Sequence, residues 1–234
     1  MLSVSIAENV ALVRARMEQA ARAAGRDPAA IRLVAATKMN DADRVRQAIA
    51  AGVDICGENR VQEMLEKNAQ GAYAGAPLHF IGHLQKNKVK QVVGLAELIH
   101  SADSLELLAA ISRCAEGRGL CQDVLLEVNI GAEESKSGFS PEEIPAALEA
   151  ASRLVGVRVR GLMAIPPICA VPEENRPFFL RMQKLFVDNG EKKYDNVFMD
   201  FLSMGMSGDY PEAIACGANL IRVGAAIFGP RQYS

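Results

Sequence analysis

The feature that most limits what this chain can become is a regular alternation of short apolar runs with longer segments of helical period. The apolar runs are residues 32–37, 54–58, 78–82, 98–101, 123–129, 159–164, 201–204 and 220–223. Between them lie periodic segments such as 41–51, 60–68, 105–117 and 141–154. Helix starts are signalled at Asp41, Ser104 and Ser140, the last with Pro141 at the first helical position, and helix ends at Gly52, Gly117 and Gly217. Strand–helix alternation means a parallel sheet. Eight such units in 234 residues predict an α/β chain folded as a (β/α)8 TIM-type barrel, a fold of roughly 250 residues. Residues 1–24, with charges interspersed among apolar positions, read as an extra amphipathic N-terminal helix, and no linker interrupts 1–234, so one domain is expected. A doubly wound sheet is the alternative, but it usually places a glycine-rich phosphate loop after its first strand. Here that position holds Thr37-Lys38-Met39-Asn40, and glycines follow the last two strands instead, a barrel habit. The proline-rich stretch from Pro166 to Pro172 reads as a rigid loop after the sixth strand.

Half the residues are hydrophobic, enough for a sizeable core. A net charge of −2 with no long basic stretch argues against nucleic acid, and the short run Lys86-Asn87-Lys88-Val89-Lys90 reads as a solvated helical face. No apolar segment is long enough for a membrane span, and the amino terminus lacks a signal-peptide layout. Five cysteines without paired short spacing fit reduced thiols in a cytoplasm and no metal site.

The chemistry gathers at strand ends. Lys38 closes the first apolar run, where a barrel builds its site; it is a boundary residue or an amine whose desolvated setting frees it for carbonyl attack. Ser203 and Ser207 flank a small-residue loop and are either turn residues or phosphate ligands. Arg222 sits inside an otherwise apolar run, so it needs a carboxylate or a ligand as acceptor. Gly224 and Ala225 offer backbone amides beside it. Asn59 and His83 follow the second and third strands, as cap or ligand and as structural ring or acid. Glu127, Asn129 and Lys136 add polar groups to the same rim, while Met163 and Met204 fit core packing or a pocket wall. A lysine facing a phosphate site suggests a Schiff base to a phosphorylated aldehyde, with pyridoxal 5'-phosphate the obvious candidate.

The segments Ala36-Thr37-Lys38, Gly57-Glu58-Asn59-Arg60, His79-Phe80-Ile81-Gly82-His83-Leu84-Gln85, Lys136-Ser137-Gly138-Phe139, Gly161-Leu162-Met163, Leu202-Ser203-Met204-Gly205-Met206-Ser207 and the run from Arg222 to Gly229 together resemble the pyridoxal phosphate homeostasis protein family. The resemblance implies a barrel of the alanine-racemase N-terminal type with the cofactor on Lys38. It implies further that Ser203, Ser207, Gly224 and Ala225 serve the phosphate, that Arg222 lies beside the pyridine nitrogen, and that Asn59, His83 and Met204 line the pocket. The family commonly has a hydroxyl residue at the position of Ala225, and the proline or basic residues frequent after the lysine are replaced by Met39-Asn40.

An arginine at the ring nitrogen would leave the cofactor a weak electron sink. Racemases so arranged rely on a second base, which the resemblance places in a further carboxyl-terminal domain, and the sequence ends at Ser234. The expectation is therefore a non-catalytic protein that holds pyridoxal phosphate as a Schiff base on Lys38 and buffers or delivers it. Apo forms of pyridoxal-phosphate enzymes are the candidate recipients, and a monomer or weak dimer is expected. A racemase or decarboxylase with His83 or Cys169 as acid is the alternative, and a sugar-phosphate enzyme using Lys38 in aldol chemistry is a third.

Overall fold

The computed structural model describes residues 5–167, 169–191 and 194–229. The chain opens with α1 (Ile6–Ala23), then β1 (Arg32–Ala36), α2 (Ala42–Ala50), β2 (Ile55–Glu58), α3 (Val61–Ala69), β3 (Leu78–Phe80), α4 (Val89–Val92) and β4 (Leu98–Ala102). It continues through α5 (Leu105–Glu116), β5 (Gln122–Val128), α6 (Ile144–Ala151), β6 (Val157–Ala164), α7 (Arg176–Gly190), β7 (Val197–Ser203), α8 (Tyr210–Ala215), β8 (Leu220–Val223) and α9 (Ala225–Phe228). The eight strands pair in sequence order and close into a parallel barrel through β1 and β8, with Val34 opposite Arg222. The doubly wound alternative is thereby excluded.

Strand alternation divides the apolar side chains into two layers. Val34, Ala36, Ile55, Ile81 and Leu220 fill one part of the barrel interior, and Leu98, Leu125 and Met163 another, with Phe201 packed against both groups. Alternate residues such as Leu33, Ala35, Ile99, Val124 and Leu202 belong to the large cluster shared with the helices. Arg32 and Arg160 lie over the Phe201 ring at 5.9 and 5.4 Å, and Arg160 bridges Asp123 and Asp200. Arg32 and Asp123 stand at the amino ends of their strands, and Arg160 and Asp200 near the middle of theirs.

The N-terminal helix is present. Ser5 and Glu8 form its capping box, and Ile6, Val10, Val13, Met17 and Ala21 bury one stripe. That stripe packs on α2, α8 and α9 across the β8–β1 seam, where Asn9 Nδ2 donates to Ile227 O at 2.9 Å. Asp41 and Ser104 cap α2 and α5 as expected, accepting from Arg44 and Leu107 amides. Residues 141–154 begin with a 3-10 turn, Pro141–Glu143, before α6.

Several boundaries differ from the sequence reading. β3 ends at Phe80 because the chain turns into the site: a Cβ on Gly82 would lie 2.1 Å from Asn59 O, so only glycine lets these loops touch. β7 starts at Val197, four residues early, and its lower half alternates exposed and covered positions, with Asp200 held by Arg160. The stretch after β6 is followed by a 3-10 turn, Pro172–Asn175, and then by α7, with Pro177 near its start. No helix among the described residues is long and apolar enough to cross a membrane.

Candidate functional site

Parallel closure sets the ends of β1, β2, β3, β7 and β8 around one mouth, and all nine expected site residues fall within a few positions of these strand ends. Lys38 follows β1 by two residues in the inward register of Val34 and Ala36, and is half-buried. The turn that bears it is tightly held. Lys67 Nζ donates to Thr37 O at 2.8 Å and to Glu58 Oε1 at 2.6 Å, and Glu58 Oε1 also takes the Thr37 hydroxyl at 2.5 Å and the Tyr73 hydroxyl at 3.1 Å. On the other side Met39 N donates to Glu63 Oε2 at 2.7 Å, fixing Met39 at a φ of 59°. Burial beside Glu58 pushes the Tyr73 phenol far up and the Cys56 thiol up to about 12, so neither ionises near neutrality.

Opposite β1, Arg222 is 5% exposed. Its acceptors are the Ser203 hydroxyl, 2.5 Å from Nη1, and Ala164 O, 3.0 Å from Nη2. Among the described residues it has no ion pair, so the internal salt bridge that the sequence allowed is not how this charge is held. Burial lowers the guanidinium to about 10, with Glu127 and Asp209 opposing the shift, and it stays charged at neutral pH. Ser203 Oγ also meets His100 Nδ1 at 3.0 Å, and His100 Nε2 meets His79 Nδ1 at 2.9 Å. His100 was legible by the criterion that marked Arg222, a polar residue within an apolar strand; its pairing with Ser203, 103 residues away, was not.

Beyond Arg222 the chain enters α9, and the amides of Gly224 and Ala226 point at Ser207 Oγ, 3.2 and 3.4 Å away. The Ser207 oxygen thus marks an acceptor position in a small cradle of backbone N–H groups. Ala225 is exposed beside it. A Cβ on Gly224 would come within 3.4 Å of Ala36 Cβ, so the cradle adjoins the strand that leads to Lys38. The loop reaches the cradle through Gly205, at a φ of 90°, where a side chain would strike Ala213 at 2.6 Å. Met204 differs from its neighbours: it is wholly buried in the strand–helix core and contributes packing, not a pocket wall.

Between the ends of β2 and β6 lies a cavity of about 270 Å³, lined by Asn59, Gly82, His83, Ser101, Glu127 and Lys136 among others. Asn59 Oδ1 and Ser101 Oγ are buried there without a hydrogen-bond partner among the described residues, the condition expected of groups awaiting a ligand. His83 is largely exposed and pairs with Asp103 at 3.2 Å. Lys136 Nζ pairs with Glu133 and donates to Pro166 O at 3.1 Å. Burial, and next the Asp103 charge, push Glu127 up to about 7. Of the expected site residues the cavity lining includes Asn59 and His83, while Lys38, Arg222 and the amide cradle stand beside it at the ends of β1 and β8.

Residues 5–232 match the family model for the alanine racemase N-terminal domain. The pyridoxal phosphate homeostasis protein of Pseudomonas aeruginosa is 42% identical over 229 residues, covering 98% of this chain and 97% of that protein. The protein of the same name from Aquifex aeolicus is 40% identical over 97% of this chain and 98% of its own. Among solved structures, PipY of Synechococcus elongatus PCC7942 with PLP bound superposes with a TM-score of 0.82 at 32% identity, over 96% of this chain and all of that one. Barrel and near full-length similarity agree, and the chain belongs to the pyridoxal phosphate homeostasis protein family.

Proposed function

We propose that this protein binds pyridoxal 5'-phosphate at the carboxyl end of the barrel and buffers or delivers it without significant catalysis. The observation that carries this reading is Arg222: a buried guanidinium with two neutral acceptors and no carboxylate among the described residues, set between the amide cradle and the strand leading to Lys38. The residues fit the cofactor. Asn59 and Ser101 hold unsatisfied oxygens over the cavity, and the cradle has donors where a phosphate oxygen would sit.

When bound, pyridoxal phosphate supplies an aldehyde carbon open to amines and a ring that draws electrons best with its nitrogen protonated. Lys38 offers the amine and is the covalent anchor. Its turn is held by Lys67 and Glu63, which fixes the backbone that carries the amine. Arg222 presents only donors and keeps its proton at neutral pH, so beside a ring nitrogen it would donate a hydrogen bond without protonating it. Ser207 and the amides of Gly224, Ala225 and Ala226 would take the phosphate, and Asn59 would line the mouth. This arrangement holds an aldehyde and handicaps carbanion chemistry, which suits storage and transfer to apo enzymes in the cytoplasm. The near full-length likeness to homeostasis proteins supports the same conclusion.

The test is borohydride reduction of the loaded protein followed by peptide mapping. A single adduct at Lys38 is expected; an adduct elsewhere, or none after incubation with pyridoxal phosphate, overturns the proposal. A second reading, a racemase-like enzyme, is favoured by one feature, Glu127 inside the cavity with a pKa near 7. Solvent deuterium entering the α position of alanine at enzyme-like rates, and lost in Glu127→Gln, would establish it.

A further inference from the structure

We infer that Ser203, His100 and His79 form a one-directional hydrogen-bond chain that holds Arg222, which makes Ser203 a positioning residue for the arginine and not a ligand of the phosphate. Guanidinium N–H groups only donate, so Ser203 Oγ is the acceptor in its 2.5 Å contact with Arg222 Nη1. The hydroxyl proton then needs an acceptor of its own. Ser203 is fully buried, and among the described residues the acceptor in reach is His100 Nδ1 at 3.0 Å. A His100 ring with a bare Nδ1 keeps its proton on Nε2, which faces His79 Nδ1 at 2.9 Å. His79 accepts there and bears its own proton on Nε2.

The reverse direction would leave a buried hydroxyl proton without an acceptor, which folded proteins avoid. Electrostatics favours the same direction, because a bare Nδ1 turns the negative end of the imidazole dipole toward the Arg222 charge. Both rings are suited to the task. Burial holds His100 neutral well below its ordinary range, with His79 and Arg222 adding to the effect, and it lowers His79 to about 3, with Arg32 contributing. A neutral chain can supply an acceptor to a buried cation without introducing a second charge. Ser207 has no such commitment: its oxygen faces the cradle amides.

The role given to Arg222 rests on the pyridoxal phosphate reading; the direction of the chain does not. The chain has three histidines, so its imidazole signals are few, and His83→Gln identifies the exposed ring. Long-range 15N–1H spectra of the unmodified, cofactor-free protein at neutral pH are expected to show His79 and His100 neutral with the proton on Nε2. A proton on His100 Nδ1, or a doubly protonated ring, overturns the inference. Inorganic phosphate titrated into the same sample should leave the His100 tautomer unchanged, and a switch to Nδ1–H would mean that Ser203 turns its proton to the phosphate. In variants, Ser207→Ala should weaken phosphate binding about tenfold or more, while Ser203→Ala should leave it within about twofold and disturb the His100 signal. His100→Asn, which keeps an acceptor near the Nδ1 position, should retain pyridoxal phosphate better than His100→Ala. Equal loss of phosphate binding in the two serine variants refutes the assignment. A parent protein that takes up no phosphate counts against the cofactor reading, and the tautomers of the unmodified protein still decide the chain.

Discussion

At the scale of single residues, the site is specified by where hydrogen-bonding capacity is left over. Asn59 Oδ1 and Ser101 Oγ are unpartnered in the cavity, whereas the Ser203 hydroxyl is engaged on two sides. Ala225 is exposed at the first position of α9, next to the cradle amides. A serine there can point its hydroxyl at a phosphate held by the cradle. Hydrogen bonds to charged acceptors are worth about 1.5–3 kcal/mol. Ala225→Ser is therefore expected to lower the dissociation constant for pyridoxal phosphate about tenfold or more, read by equilibrium dialysis. An unchanged constant would place the phosphate away from α9. Lys38→Ala should abolish the borohydride-stable adduct.

At the scale of elements, the Lys38 turn depends on a buried ion pair donated by a neighbouring helix. Lys67 on α3 is 6% exposed and Glu58 on β2 is wholly buried, and together with Glu63 they bracket residues 37–39. Removing one partner strands the other charge in the interior, at a cost of about 3–5 kcal/mol. Lys67→Met should lower stability to urea by about that amount and slow borohydride trapping at Lys38. Adding Glu58→Gln should recover part of the stability, since the stranded carboxylate is gone. A double variant no more stable than the single one would show that the pair acts through something other than charge. The strands and most helices were legible because apolar runs of five or so residues between capping signals admit few other readings. Residues 197–200 escaped because the lower half of β7 exposes Phe198 and spends Asp200 on Arg160. The helix α7 was hidden behind prolines that mark its start. Lys38 and Arg222 stood out as polar residues at the ends of, or within, apolar runs. The Lys67–Glu58 clamp and the Ser203–His100 contact did not, because strand register brings their partners together and no local spacing reveals it.

At the scale of the whole molecule, the buried titratable groups oppose one another, and their balance fixes how stability depends on pH. His79 and His100 are held neutral in the folded protein, with pKa values below the ordinary 6.5, at about 3 for His79. A depressed folded value means that their contribution is complete above pH 6.5 and is lost as pH falls and the unfolded chain takes up two protons. Glu127 works the other way: raised from 4.5 to about 7, it binds a proton in the folded state that the unfolded chain lacks between those limits. Its contribution is complete below pH 4.5 and is lost as pH rises through 7. Glu8 and Glu143, lowered by their capping serines, matter only where carboxylates begin to protonate. Between about pH 5 and 6 two protons on the unfolded side face one on the folded side, a net of about one. Stability should then rise with pH by about 1.4 kcal/mol per unit and level off above pH 7. Urea denaturation at half-unit intervals measures this slope. Glu127→Gln should roughly double it, because the opposing proton is removed. Replacing both His79 and His100 by glutamine should reverse its sign, leaving a protein that loses stability as pH rises from 5 to 7. A slope that stays positive in the double histidine variant would mean that the acid sensitivity of this barrel does not originate in the chain of rings behind Arg222.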